Sequence, residues 1–312
     1  MKHSFRYPSA DGVTEINAAE WLPDGQPKAI VQLVHGVAEY IDRYDELAGI
    51  FTEAGYLVAA NDHLGHGKSL QPGEEPGWFG EQKGWSTLVR DMKTLYERET
   101  TDYPGLPVIL YGHSMGSFLA RTYLFEYPED ATAAVLSGTG HQNGLVCLAG
   151  RAAAGAEIAL HGTKYRSRLL QSMAFGSYLK GIENPSSPNA WISRDEEVLR
   201  RYDADPLCGF VATAGLMRDM MDGLDRIRRM ENIARMRKDL PILLVSGEAD
   251  PVGAWGKGVR AVGERMEKAG LTDVSVRLYP GGRHEMHNEI NREEFYRDVL
   301  QWMDSRLPPR AE

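Results

Sequence analysis

Residues 107–128 read PVILYGHSMGSFLARTYLFEYP: an apolar run, a serine held between two glycines, then apolar residues at helical spacing. A run such as VILYG has the length and composition of a buried strand, and MGSFLARTYLFEY has the periodicity of a helix ending at Pro128. A strand that turns sharply into a helix pushes the intervening side chain outward. Gly112 and Gly116 lack the Cβ atoms that would collide at such a turn. Ser114 therefore stands where a nucleophile elbow would place it, with the Met115 amide at a helix N-terminus, suited to a developing negative charge. The competing reading is a serine that caps a helix between turn glycines.

A serine hydroxyl attacks at neutral pH only when a base takes its proton, a third group orients the base, and donors hold the resulting oxyanion. The chain offers each part. YPGGRHEMHNE (279–289) supplies His284 in a glycine-rich loop after the run VSVRLY, with His287 as a rival. Read together, these two histidines would be a metal pair lacking a third ligand at a familiar spacing. LLVSGEADPVG (243–253) puts Asp250 at the end of another apolar run, with Glu248 as the alternative acid. The order Ser114, Asp250, His284 is the one expected when this elbow sits on an α/β sheet. VQLVHGVAEY (31–40) ends a strand at His35-Gly36, so the Val37 amide is the expected second oxyanion donor beside that of Met115. NDHLGHGKS (61–69) brings Asp62, His63, His66 and Ser69 close in sequence. It reads as a turn that supports the pocket, with a metal cluster as the other reading.

Around these segments the pattern is regular. AIVQLVH, LVAAN, VILYG, AAVLSG, ILLVSG and VSVRLY alternate with amphipathic helical stretches at 43–55, 86–99, 118–128, 258–270 and 292–304. The N-terminal 3–29 reads as a hairpin turning at Asp11-Gly12 and Asp24-Gly25. The strand rhythm lapses between Gly140 and Leu240 and resumes at Ile242. The expected architecture is an α/β fold with a mostly parallel eight-stranded sheet flanked by helices. Residues 1–139 and 241–312 form its core domain, and 140–240 a mainly helical cap inserted after the sixth strand. In that insert Leu216, Met217, Met220, Met221 and Leu224 share one helix side, to line an apolar cleft or to pack the insert on the sheet domain. Arg226, Arg228 and Arg229 are read either as an anion-attracting group or as a solvated charged face.

Composition narrows the partners. The 312 residues carry 35 basic and 44 acidic side chains, a formal charge of −9, which argues against a nucleic-acid backbone. No apolar leader precedes the hairpin and no run reads as a membrane span, 144–160 being broken by Arg151 and Glu157. Cys147 and Cys208 are too few for a disulfide framework. A cytoplasmic protein without metal or other cofactor is expected, with a transient membrane contact through the cap left open.

Taken together, HGVAEYIDRYDELAGIFTEAGYLVAANDHLGHGKS (35–69), GHSMGS (112–117), SGEADPV (246–252) and GGRHEMHNE (281–289) resemble the blocks of the α/β-hydrolase superfamily. The likeness is to its monoacylglycerol lipase and lysophospholipase group, filed with serine aminopeptidase-type hydrolases. It spans nearly the whole sheet domain and fades across 140–240. It implies a serine hydrolase that cleaves carboxylic esters of small lipophilic or lipid substrates, of monoacylglycerol or lysophospholipid type, without a metal. Ser114, Asp250 and His284 fall on the group's triad positions, Val37 and Met115 on its oxyanion positions, and 140–240 on its cap. Ser117 departs from the glycine common in relatives after GHSMG. A peptidase or amidase using the same triad, and an idle binding protein with the same fold, are the other functions the residues allow.

Overall fold

The computed structural model describes residues 1–308. The chain enters as the hairpin β1 (Lys2–Pro8) and β2 (Glu15–Trp21), paired antiparallel with Phe5 opposite Ala18. There follow β3 (Ala29–Val34), α1 (Asp45–Glu53), β4 (Tyr56–Asn61), α2 (Gly84–Asp102), β5 (Val108–His113), α3 (Met115–Glu126) and β6 (Ala133–Ser137). Residues 138–241 then contain helices and no strand: α4 (Gly144–His161), α5 (Arg168–Phe175), α6 (Glu196–Ala204), α7 (Ala214–Arg228) and α8 (Met230–Ile233). The sheet resumes with β7 (Ile242–Gly247), α9 (Lys257–Lys268), β8 (Val274–Tyr279) and α10 (Arg292–Asp304).

The eight strands lie in the order β1-β2-β4-β3-β5-β6-β7-β8. β2 runs antiparallel to both neighbours and every other pairing is parallel. The apolar runs of β3 to β7 are continuous because both sheet faces are covered. Alternate residues still part to opposite sides. Ile30, Leu57, Leu110, Leu136 and Leu244 pack with α2, α3, α7 and α9, whereas Val31, Val58, Ile109, Val135 and Leu243 pack with α1 and α10.

Helix ends follow local chemistry. Asn143, Ser167, Asp195 and Thr213 cap α4 to α7 by accepting backbone N–H bonds. Past the last turns of α1 and α9 come Gly55 and Gly270, both at positive φ.

Parallel pairing fixes where the loops emerge. Val34 pairs with Gly112, His113 with Ser137 and Ser137 with Val245, so the strand ends align along one sheet edge. The segments after β3, β5, β6, β7 and β8 all leave there, and that edge of a parallel sheet is where ligands bind.

The methionine stripe has a definite partner. Leu216, Met217, Met220 and Leu224 are buried in the same core as Trp85, Phe118 and Leu119, and Gly223 lets α7 close onto the Trp85 ring. Packing on the sheet domain thus accounts for this face. The arginines are engaged as well: Arg226 pairs with Glu126, and Arg228 and Arg229 share Asp225.

Candidate active site

Ser114 sits between β5 and α3 with φ 53° and ψ −122°, a backbone conformation a side-chain-bearing residue rarely adopts. The turn is pinned on both sides. The Ser114 N–H donates to the Ser137 carbonyl at 2.9 Å, while its own carbonyl accepts from the Ser117 amide at 2.9 Å and from Ser117 Oγ at 2.6 Å. The hydroxyl that sets GHSMGS apart thus reinforces the first turn of α3. A methyl on Gly116 would run into the Val34 carbonyl, and one on Gly112 would fall 2.5 Å from the Gly116 carbonyl oxygen. Both glycines are therefore required for β3, β5 and α3 to approach one another.

His284 and Asp250 meet. Imidazole Nδ1 lies 3.0 Å from Asp250 Oδ1, and both side chains are buried. Asp250 also accepts from Ser246 Oγ at 2.7 Å and from the Val252 amide at 2.9 Å, so its carboxylate is held in one orientation. Burial works against a charged His284, but the Asp250 charge and hydrogen bond outweigh it, raising this imidazole above its ordinary pKa. With Nδ1 on Asp250, His284 Nε2 is left buried without a hydrogen-bond partner, so no bond joins it to Ser114 Oγ in this structure. Ser114 and His284 are neighbours through other groups: His113, adjacent to the serine, packs at a tilt against the His284 ring at 4.7 Å, and Ser137-Gly138 bonds one and underlies the other.

The other candidates separate cleanly. Glu248 is exposed. His287 is buried on Tyr44 at 4.8 Å and against His113 at 4.9 Å, and burial depresses it to about 4. Ser69 donates to the Asp62 carbonyl and accepts from the Asn17 amide, a strut under the sheet edge. Asp62 takes N–H bonds from Asn17, Ile41 and Lys68. Among the described residues no three His, Cys, Asp or Glu side chains converge on a metal position.

The loop after β3 carries Val37. Its N–H and that of Met115 donate to no acceptor among the described residues, and the loop passes close enough that a methyl on Gly36 would sit 3.0 Å from Ser114 Cβ. The histidines brace this loop from below. His35 Nδ1 donates to the Gly36 carbonyl at 2.7 Å, its Nε2 accepts from the His63 amide at 3.0 Å, and His66 Nε2 accepts from the Ala38 amide at 3.2 Å. Burial keeps all three neutral, His63 at about 3 and His66 at about 4.

Sequence reading missed a second, charged brace. The Gly36 N–H donates to Glu39 Oε1 at 2.5 Å, Glu39 pairs with Arg43 at 2.6 Å, and Arg43 forms a bidentate pair with Glu285 at 2.7 Å. This buried chain runs from the Val37 loop to the residue beside His284. Burial alone would raise the Glu285 pKa, but Arg43 outweighs it and holds the carboxylate low. Glu39 and Arg43 are a helical step apart in VAEYIDRY and could have been paired from sequence, but Glu285 could not.

The 138–241 segment closes over the site. Trp191 lies against the His284 ring at 5.0 Å and Tyr178 against Trp191 at 4.9 Å, while Tyr202 OH and the Gly209 amide both donate to the Ala38 carbonyl.

The geometry agrees with what the chain resembles. A family model described as serine aminopeptidase, S33, matches residues 25–291. A monoacylglycerol lipase of Mycolicibacterium smegmatis is 31% identical over 98% of this chain and 98% of its own length. The monoglyceride lipase of Homo sapiens is 29% identical over 92% of this chain and 86% of its own. Among solved structures, a thermostable carboxyl esterase from Bacillus coagulans, in complex with glycerol, superposes with a TM-score of 0.91 at 29% identity, covering 98% of this chain and 99% of that one.

Proposed function

The chain belongs to the serine aminopeptidase S33 family of α/β-hydrolases, and from that premise we propose that it hydrolyses carboxylic esters of small lipophilic or lipid substrates, monoacylglycerols foremost, through an acyl-enzyme on Ser114. The observation that carries this reading is the strained Ser114 elbow, set between two unengaged amides and next to a buried His284–Asp250 pair. Strain at a sharply positive φ is kept where a side chain must be presented.

In the proposed cycle Ser114 Oγ attacks the ester carbonyl while His284 Nε2, the nitrogen left without a partner, takes its proton. Asp250 holds the Nδ1–H tautomer and stabilises the imidazolium. The Oγ···Nε2 hydrogen bond would form as substrate aligns the serine rotamer. The carbonyl oxygen, now anionic, accepts from the Val37 and Met115 amides, where loss of one donor costs roughly 3 kcal/mol. His284 then protonates the departing alcohol, and water repeats the sequence on the acyl-enzyme.

Residues 140–240 act as the cap over this site, on the core formed by 1–139 and 241–312. Its outer face supplies the membrane contact. Leu145, Leu148 and Leu160 on α4 and Leu169 and Met173 on α5 are each more than half exposed, an apolar surface suited to collecting lipid substrate from a bilayer. No helix among the described residues is long and apolar enough to cross one. Cys147 and Cys208, both buried and unpaired, fit the reducing cytoplasm.

The test is turnover of a nitrophenyl ester series from acetyl to palmitoyl, beside a monoacylglycerol, a lysophospholipid and an aminoacyl-anilide, by wild type and Ser114→Ala. Ester cleavage lost on substitution is the expected result. Anilide cleavage without ester cleavage would replace the reading with a peptidase, and silence on every substrate, with no labelling by a fluorophosphonate, would leave a binding protein.

A further inference from the structure

The loop that carries His284 is held by the sheet domain through Asp250 and Arg43 and, from the other side, by a strap of the insert, residues 190–194. His284 itself donates its backbone N–H to the Trp191 carbonyl at 3.3 Å, and Glu285 donates to the Ile192 carbonyl at 2.8 Å. Arg283 reaches the Ala190 and Ser193 carbonyls at 2.6 and 2.9 Å, and Ser193 Oγ donates to the Asn288 carbonyl at 2.7 Å. One side chain joins these contacts into a unit. Glu289, fully buried, accepts at Oε1 from the Arg283 amide at 2.9 Å and the Arg194 amide at 3.1 Å. At Oε2 it accepts from Arg194 Nε at 2.9 Å and the Ile290 amide at 3.0 Å. Both oxygens are saturated by charge-assisted bonds, the strongest available to a buried carboxylate. The carboxylate grips the loop on both sides of His284 and the strap at Arg194.

We propose that Glu289, clasping Arg194 of the strap, is a positioning residue that sets the place of the His284 imidazole, so that the insert, rather than the sheet domain alone, aligns the catalytic base. The proposal rests on the reading of His284 as that base. Glu289 touches neither substrate nor imidazole and acts only through the loop. A slip of about 1 Å at a reacting group can cost 100-fold in rate without changing how substrate binds.

The groups around the imidazole decide the expected sign with pH. Asp250 faces it from the loop after β7, His113 from β5, Glu285 and His287 from its own loop, and Trp191 and Tyr178 from the insert. Of these, Asp250 does most to favour the protonated ring. A loop that slips weakens the Asp250 contact and lets burial depress the imidazole.

The experiment compares the pH dependence of kcat and KM on nitrophenyl butyrate for wild type, Glu289→Gln, Arg194→Met, the double variant, His284→Ala and Ser114→Ala. Glu289→Gln is expected to lower kcat roughly 10- to 100-fold with KM within about two-fold, and to move the acid limb to lower pH. Arg194→Met leaves the loop's own bonds to Glu289 in place, so it should shift both in the same direction but less, and the double variant should fall no further than Glu289→Gln. Arg194→Met also serves if Glu289→Gln does not fold. A folded variant with the wild-type profile, or strictly additive losses, would overturn the proposal. Activity surviving in Ser114→Ala or His284→Ala would instead overturn the assignment of the base on which it rests.

Discussion

Gly138 lies directly beneath the His284 imidazole: a methyl added there would stand 2.8 Å from His284 Cε1 and 3.0 Å from Nδ1. Gly138 also has φ +60°, and its amide is bonded to the Val245 carbonyl at 2.9 Å, so the backbone cannot retreat from the ring. Gly138→Ala should therefore displace His284 rather than the turn. The expected outcome is a fall of about 100-fold in kcat/KM on a soluble ester, with a stability loss of about 1 kcal/mol for an alanine at positive φ. Kinetics and urea unfolding on the same preparation check both.

The raised pKa of His284 gives the pH dependence a direction. The proposed base would work only when neutral, so ester turnover should fall on the acid side with a midpoint above the ordinary imidazole value of about 6.5. In Asp250→Asn the carboxylate that raises the pKa is gone and burial acts unopposed. Its residual activity, about 10⁴-fold lower, should show an acid limb at lower pH than wild type. A pH profile of kcat/KM from 5 to 9 for the two proteins settles the sign.

Arg121, two helical turns beyond Ser114 on α3, is fully buried with no carboxylate partner among the described residues. It donates instead to the Gly140 carbonyl at 2.9 Å and the Ile227 carbonyl at 3.2 Å, the first at the start of the insert and the second at the end of α7. Arg121→Met would keep the bulk but strand both acceptors. Removing a desolvated charge offsets part of that loss, so a destabilisation of about 2 kcal/mol is expected. Hydrogen exchange should quicken around 138–144 and 226–234 before it does in the strands.

The exposed apolar residues of α4, on the proposed cap, predict a substrate-dependent effect. Replacing Leu145, Leu148 and Leu160 together by serine removes exposed side chains with few contacts to lose, so stability should fall by no more than about 1.5 kcal/mol, about 0.5 for each exposed helix position. Hydrolysis of a monoacylglycerol held in anionic or zwitterionic vesicles should drop several-fold, while nitrophenyl acetate turnover stays at the wild-type level. Equal loss on both substrates would count against a membrane contact through α4.

Much of this protein was legible in the chain itself. The elbow could be read because a serine between glycines, after an apolar run and before an amphipathic one, is a local arrangement with few backbone solutions. Asp250 and His284 could be read because each follows a strand, and parallel strands deliver their following loops to one edge. The β1–β2 hairpin and the ends of α1, α3 and α9 rested on turn and stop residues within a few positions.

Tertiary structure decided the rest, because those outcomes depend on partners far apart in sequence. Periodicity marked the Leu216–Leu224 face as apolar without saying that Trp85 and Phe118 would cover it. Charge spacing could not show that Arg226 would meet Glu126. Nothing local ties Glu39 and Arg43 to Glu285, Arg121 to Ile227, or Glu289 to Arg194, since each link spans roughly a hundred residues or more and forms only when distant segments meet at the sheet edge. The proposed reactive groups belong to short segments whose chemistry sequence can carry; their alignment belongs to long-range, desolvated contacts that exist only in the folded chain.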